Sequence, residues 1–341
     1  MRKDVKILNW DKGRAEVQLL GAMLAPARLT LPDGRTVQPF AIAPWANEPP
    51  KPGAPPMAGV LARLRGEWPC VPFGAAGVPP GLPPAWQPTR IHKVGTDFHG
   101  WPANNPWDVI EESATRVRLR SIYPAGEPLE RLERTVEGVA GSPALQCSLT
   151  IVAREDISVT AALHPTLAVP NTPNDPTIEV IPSDFDFGYV YPITLDGAPT
   201  PFALDQVFTS LTQVPGADGG VVDGSRMPFR DPAETLVQLC GHRGPIRVAN
   251  HRESYGVEIA YDVADFPSVQ IWYSLGGRTQ PPWRGRFRAV GIEPVCGAFD
   301  LGSAVGSDGN QPIAARGIPT ALFLRAGQVW QTHYRLSVYS L

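Results

Sequence analysis

Proline is the feature that most constrains this chain. Its 341 residues include 39 Pro and 33 Gly, about a fifth of the whole, against typical usage of roughly 5% and 7%. Proline fixes φ and removes a backbone donor, so it breaks helix interiors and is tolerated in turns and at strand edges. A chain punctuated this often should be built from short strands joined by rigid loops. Hydrophobic residues make up 43%, enough for a sizeable core. Charged residues make up only 18%, too apolar a balance for an extended, disordered polymer.

The length suits two small domains or one large β domain. No linker stands out, and one domain spanning 1–341 is the expectation. The formal net charge of -3 and the lack of a long basic run give no reason to expect nucleic acid. No stretch approaches the roughly 20 apolar residues of a membrane span. The segment Met1–Leu8 lacks the apolar core of a signal peptide. Cys70, Cys147, Cys240 and Cys296 are far apart and form no CxxC. That argues against a zinc site or a disulfide framework, and for buried, reduced thiols in a cytoplasmic protein.

Period-2 alternation recurs along the chain, as half-buried strands require. Leu29 and Leu31 lead into Pro32-Asp33-Gly34, a turn signal, and the extended pattern resumes from Arg35 to Phe40. Val117 and Leu119 alternate with arginines. Leu145, Cys147, Leu149 and Ile151 alternate with Gln146, Ser148 and Thr150. The same pattern marks Val257–Val263, Val269–Tyr273 and Trp330–Val338. Helical turns are expected only near Met57–Leu64 and Pro201–Ser210. Asn47–Pro56, Gly74–Pro88 and Asn171–Asp186 read as loops, and long loops in a compact β protein often carry the site.

Six histidines are available: His92, His99, His164, His242, His251 and His333. His333 lies on the polar phase of the last strand, and His242 and His251 lie in or near a turn, so these three read as surface residues. His164 ends the strand Ser158–His164 and is stopped by Pro165. Val159, Ala161 and Leu163 form its apolar face, while His164 shares the other with Thr160 and Ala162, whose small size leaves room before the ring. Glu293 repeats the design: Val290 and Ile292 point one way, Ala289, Gly291 and Glu293 the other, and Pro294 follows. Taken singly, each pattern also fits an ordinary strand end, with a histidine bonded to a loop or a glutamate paired with Arg286 or Arg288. His99 sits between aromatics in Asp97–Pro102, with Trp101 inside the segment and Trp107 close by. Ring faces cover apolar C–H patches of a sugar while an imidazole bonds to its hydroxyls. Arg63 and Arg65 precede a rigid aromatic loop, and a guanidinium fork can bond adjacent hydroxyls or a phosphate.

The order of these pieces resembles the aldose 1-epimerase family. Its elements here are Gly21-Ala22 before the Pro-Asp-Gly turn, Arg65-Gly66 with Pro69 and Pro72-Phe73-Gly74, His99-Gly100-Trp101 with Trp107, Ala162-Leu163-His164-Pro165, Gly291-Ile292-Glu293-Pro294, and the closing Leu324–Gln331. The resemblance implies an all-β fold, a large antiparallel galactose mutarotase-like β-sandwich with few short helices. It implies interconversion of α and β anomers of a sugar by an isomerase that needs no cofactor or metal, as a monomer or homodimer. It implies Glu293 as base and His164 as acid, flanking the ring from nearly opposite sides. His99 and Arg65 would hold the ring oxygen or hydroxyls, and Trp101 or Trp272 would stack on the sugar. The family's hydroxyl-binding aspartate has no clear match here; Asp231 and Glu234 are the nearest. Where the family has an aromatic pair after His-Pro, this chain has Thr166-Leu167. Two alternatives stay open: a hexose-6-phosphate 1-epimerase, with Arg63, Arg65, Arg284, Arg286 and Arg288 as phosphate ligands, and a non-catalytic carbohydrate-binding protein.

Overall fold

The structure is a computed structural model, and it describes residues 4–49, 57, 59–90, 95, 97–172 and 175–341. The expectation at Met1–Lys3, most of the 47–56 loop and His92 lie outside the described residues.

Two antiparallel sheets dominate. The larger has nine strands, in spatial order Arg226–Met227, Ile178–Ile181, Ile246–Asn250, Tyr255–Tyr261, Val329–Ser340, Ala144–Ala153, Leu129–Gly138, Arg116–Ile122 and Asp108–Glu112. The other has eight: Val207–Phe208, Phe187–Val190, Glu234–Cys240, Ser268–Leu275, Arg288–Cys296, Ala161–Leu163 and Pro69–Cys70 in order, with Thr166–Ala168 also paired to the Arg288–Cys296 strand. A separate four-stranded sheet holds the expected hairpin, Leu29 opposite Val37 and Thr30 opposite Thr36 across the Pro-Asp-Gly turn. The α-helices among the described residues are three short ones, Gly59–Arg63, Gly100–Asn104 and Ser303–Gly306. The all-β expectation is met.

The alternation read from the sequence sorts side chains into two cores. Leu145, Leu149, Tyr334, Leu336, Val269, Ile271, Val290 and Ile292 belong to one apolar cluster, drawn from both large sheets. Trp68, Cys70, Ala162, Leu236, Trp272, Ala289 and Phe299 belong to a second, over the other face of the eight-stranded sheet. That sheet is therefore covered on both sides, and all eight residues of Ser268–Leu275 are buried. The four cysteines are free and buried. No helix among the described residues is long and apolar enough to cross a membrane.

Three expectations need correction. Pro201–Ser210 forms no helix; it contains the short strand Val207–Phe208, paired to Gly188 and Tyr189. The stretch expected to be loop around Asn171–Asp186 contains the strand Ile178–Ile181, which pairs on both edges. His242 is buried rather than on the surface: its Nε2 accepts from the Ser183 amide at 3.1 Å and its Nδ1 meets the Tyr261 hydroxyl at 2.7 Å. Two fixed partners hold this imidazole inside despite the glycine-rich turn around it.

Candidate active site

A cavity of about 770 Å³ opens on the second face of the eight-stranded sheet, where residues from neighbouring strands converge. This is within the usual range for small-molecule sites. His164 and Glu293 both line it. The Ala161–Leu163 strand pairs with the Arg288–Cys296 strand, and Thr166 pairs with Gly291. This register brings the two strand positions side by side. His164 Nε2 lies 3.3 Å from Glu293 Oε1. The pair thus sits together on one wall of the cavity, not on opposite sides of a ring-sized gap as expected. Gly291 leaves the space that the carboxylate occupies, since a Cβ there would be 2.4 Å from Glu293 Oε1.

The partners of each group define its state. Gln270 donates to Glu293 Oε2 at 2.7 Å, whereas Oε1 has no hydrogen-bond partner among the described residues. Burial raises the Glu293 carboxyl well above the usual range, and the nearby Asp300 charge adds to this against the Gln270 hydrogen bond. Burial pushes His164 down to about 3, against a backbone hydrogen bond that raises it. Its Nδ1 lies 3.2 Å from Thr166 Oγ1, and that hydroxyl donates to the His164 carbonyl at 3.4 Å. A hydroxyl already donating must accept from Nδ1–H, which leaves Nε2 as the lone-pair nitrogen facing Glu293. The Trp68 ring stacks on the imidazole at 4.1 Å and 19°, and the Trp68 carbonyl takes the His164 amide hydrogen at 3.0 Å. An aromatic face in that position favours the imidazolium electrostatically.

His99 is also on the cavity wall, its ring 5.3 Å from that of His164. Its backbone is left-handed (φ 61°) as it caps the Gly100–Asn104 helix, and its Nδ1 accepts from the Gly74 amide at 3.2 Å. Trp272 lines the cavity and donates from Nε1 to Glu234 Oε1 at 2.6 Å. Burial lifts Glu234 to about 6, against the opposing Arg278 charge. The Gly74–Pro88 loop contributes Ala75, Gly77, Val78, Pro79 and Pro80 to the wall.

Three expected substrate contacts lie elsewhere. Arg65 is buried but off the cavity wall. Its Nε donates to the Arg63 carbonyl at 2.9 Å and its Nη2 to Asn47 Oδ1 at 3.1 Å, so it braces the Pro44–Asn47 turn. Trp101 is half-buried and packs against the core between the sheets. Asp231 is exposed in the loop before the Glu234–Cys240 strand and does not reach the cavity. Conversely, Trp68, Gln270, Arg278 and Asp300 line the cavity and were not singled out as site residues. Gln270 was readable as the polar neighbour of Trp272 on one strand face. Asp300 and Arg278 come from loops, where no periodicity points inward.

No family model matches the sequence, and no curated protein matches it. Solved structures do. A galactose mutarotase-like protein from Lactobacillus casei superposes with a TM-score of 0.60 at 17% identity, covering 98% of this chain and 100% of that one. One from Clostridium acetobutylicum gives 0.60 at 14%, over 98% and 95%. An aldose epimerase homologue from C. elegans gives 0.62 at 11%, over 99% of each chain. This chain therefore has the galactose mutarotase-like fold along its whole length.

Proposed function

We propose that this protein is an isomerase of the aldose 1-epimerase type, exchanging the α and β anomers of a sugar. The observation that carries the reading is the His164–Glu293 contact of 3.3 Å on the wall of a cavity large enough for a pyranose. The C1 hydroxyl and the ring oxygen are bonded to the same carbon. An acid and a base standing side by side can therefore reach both at once.

In the forward step Glu293 takes the proton of the C1 hydroxyl as His164 gives one to the ring oxygen. The C1–O5 bond breaks and an aldehyde forms. Rotation about C1–C2 presents the other carbonyl face. The roles then reverse: the Glu293 acid returns a proton to the carbonyl oxygen as His164 takes one from the C5 hydroxyl, and the ring closes. One proton shared by two groups suffices, and no cofactor enters.

The two environments divide this work. Burial favours a protonated Glu293 and a neutral His164, which is the state of the pair while the sugar is open. The Trp68 face favours the imidazolium needed at the start. Thr166 holds the ring with Nε2 toward the reacting atoms. His99 and Trp272, on the same wall, would bind hydroxyls and cover the sugar's C–H face.

The test is Glu293→Gln, with anomer exchange followed by polarimetry or NMR. General acid–base groups contribute roughly 10²–10⁴-fold, so kcat should fall by at least about two orders of magnitude with the thermal transition retained. Unchanged exchange would remove Glu293 from the base role.

A further inference from the structure

The ionisable groups of the cavity are unevenly signed. Asp300 and Asp196 line it as carboxylates, with Glu234 just behind Trp272, while burial favours the neutral form of Glu293. Among the described residues the guanidinium on its wall is that of Arg278. Arg278 is already engaged, with Nε 2.8 Å from Asp196 Oδ2, Nη1 3.0 Å from Glu234 Oε1, and its plane over Trp283 at 4.5 Å. Both imidazoles, His99 and His164, are held neutral by burial. The arginines that the sequence offers as phosphate ligands are spent elsewhere. Arg63 and Arg65 donate to backbone carbonyls near Pro44–Asn47, Arg286 pairs with Glu48, and Arg288 donates to the Leu275 carbonyl. Arg284 is exposed and off the wall.

Asp300, like Glu293, carries a buried carboxylate oxygen without a hydrogen-bond partner among the described residues. It follows the Arg288–Cys296 strand of the eight-stranded sheet, and its Oδ1 is the oxygen left unbonded. Burial raises it to about 6 against the Tyr191 hydrogen bond and the Arg278 charge, so it is largely ionised at neutral pH. A phosphate or carboxylate in this cavity would be desolvated beside like charge, with no unpaired cation among the described residues to meet it. An ammonium group would instead find the unbonded Oδ1 of a carboxylate whose other interactions are the Tyr191 hydrogen bond and the Arg278 charge.

Resting on the reading of the site as an anomer-exchanging one, we propose that the cavity is selective by charge: it rejects phosphorylated and acidic sugars, accepts neutral ones, and takes amino sugars best, with Asp300 as the residue that sets this order.

The experiment is a charge series at one carbon: 6-amino-6-deoxyglucose, glucose, glucose 6-phosphate and glucuronate, at neutral pH and low salt. Each is assayed for accelerated anomer exchange and titrated calorimetrically against the full chain. Glucose 6-phosphate and glucuronate should show kcat/KM at least roughly tenfold below glucose, and the amino sugar should equal or exceed glucose. Asp300→Asn should narrow the spread between the cationic and anionic sugars by about threefold or more, while Asp231→Asn, outside the cavity, should leave it unchanged. A preference for glucose 6-phosphate, or a spread that Asp300→Asn does not alter, overturns the proposal. If no sugar's exchange is accelerated, the isomerase reading fails, and the calorimetric ranking still decides the charge order: the same ranking upholds it and a flat or inverted one overturns it.

Discussion

The two large sheets alternate with the same period, yet what alternates differs. On the nine-stranded sheet the polar phase is charged and wet. Arg247 pairs with Glu258, Arg116 with Glu111 and Arg118 with Glu133, all at least partly exposed. On the eight-stranded sheet the polar phase is Gln238, Gln270, Ser274, Trp272 and Gly291, mostly uncharged and all buried. Period 2 alone says that a strand has two faces. The chemistry of the second face says whether water or protein covers it. A carboxylate on an otherwise uncharged second face, as Glu234 and Glu293 are, then signals a site rather than a solvated edge.

Charge inside the molecule should matter most where it bridges the two sheets. Glu67, just before the Pro69–Cys70 strand, meets Arg134 from the nine-stranded sheet in an ion pair with both side chains fully buried. The Tyr334 hydroxyl donates to Glu67 Oε1 at 2.8 Å, and Arg134 Nη1 donates to the Ala22 carbonyl at 2.8 Å. Removing one partner leaves an uncompensated buried charge, which typically costs about 3–5 kcal/mol. Glu67→Ala should therefore lower stability by about that amount in denaturant titration. A loss under about 1 kcal/mol would mean that the interior pair behaves like one on the surface, and the contrast between the sheets would fail. Because Trp68 is the next residue and stacks on His164, activity should fall along with stability.

Much of this arrangement was legible in the sequence. Proline content fixed short strands, and the phase of Val290 and Ile292 against Gly291 and Glu293 put the carboxylate on the second face. The resemblance to the aldose 1-epimerase family paired it with His164. What could not be read was tertiary. Arg65 and Trp101 have the right chemistry for sugar binding, but their partners are a turn and the inter-sheet core, and no local pattern announces either. Asp300 and Arg278 arrive on loops, whose path is set by packing rather than periodicity. Arg134 stands in the apolar phase between Leu132 and Val136, a visible irregularity whose meaning depends on a glutamate 67 residues away.

An intermediate effect is expected at His242, which joins the sheets through Tyr261. Burial lowers its pKa to about 4, against about 6.5 in the unfolded chain. Between those values the unfolded state binds more protons, so this group makes stability fall as pH drops from about 6.5 toward 4. His164 acts in the same direction. Glu293, raised instead, acts oppositely, since its stabilising protonation is lost as pH rises through its folded value. The difference between the native chain and His242→Gln isolates one group. The native chain should lose about 2 kcal/mol more than the variant between pH 7 and pH 4. Parallel thermal profiles for the two would show that His242 is solvated after all.

The smallest effect belongs to the outer face. Glu133 receives hydrogen bonds from Arg118 at 2.5 Å and Arg131 at 3.1 Å. Partial burial works to raise its pKa, but those hydrogen bonds and charges outweigh it and leave it lowered. The stability it contributes is therefore present above its unfolded pKa and lost as pH falls through the folded one. The Arg118 side chain is 44% exposed, and such pairs are screened by salt and typically worth under about 1 kcal/mol. Glu133→Gln should cost no more than that at neutral pH, and raising the salt to about 1 M, where the Debye length shrinks to about 3 Å, should erase most of the difference. An Arg118/Glu133 double-mutant cycle measures the coupling directly. A salt-independent coupling as large as that expected for Glu67 and Arg134 would show that the outer face is as dry, electrostatically, as the interior, and alternation chemistry would then no longer distinguish the two sheets.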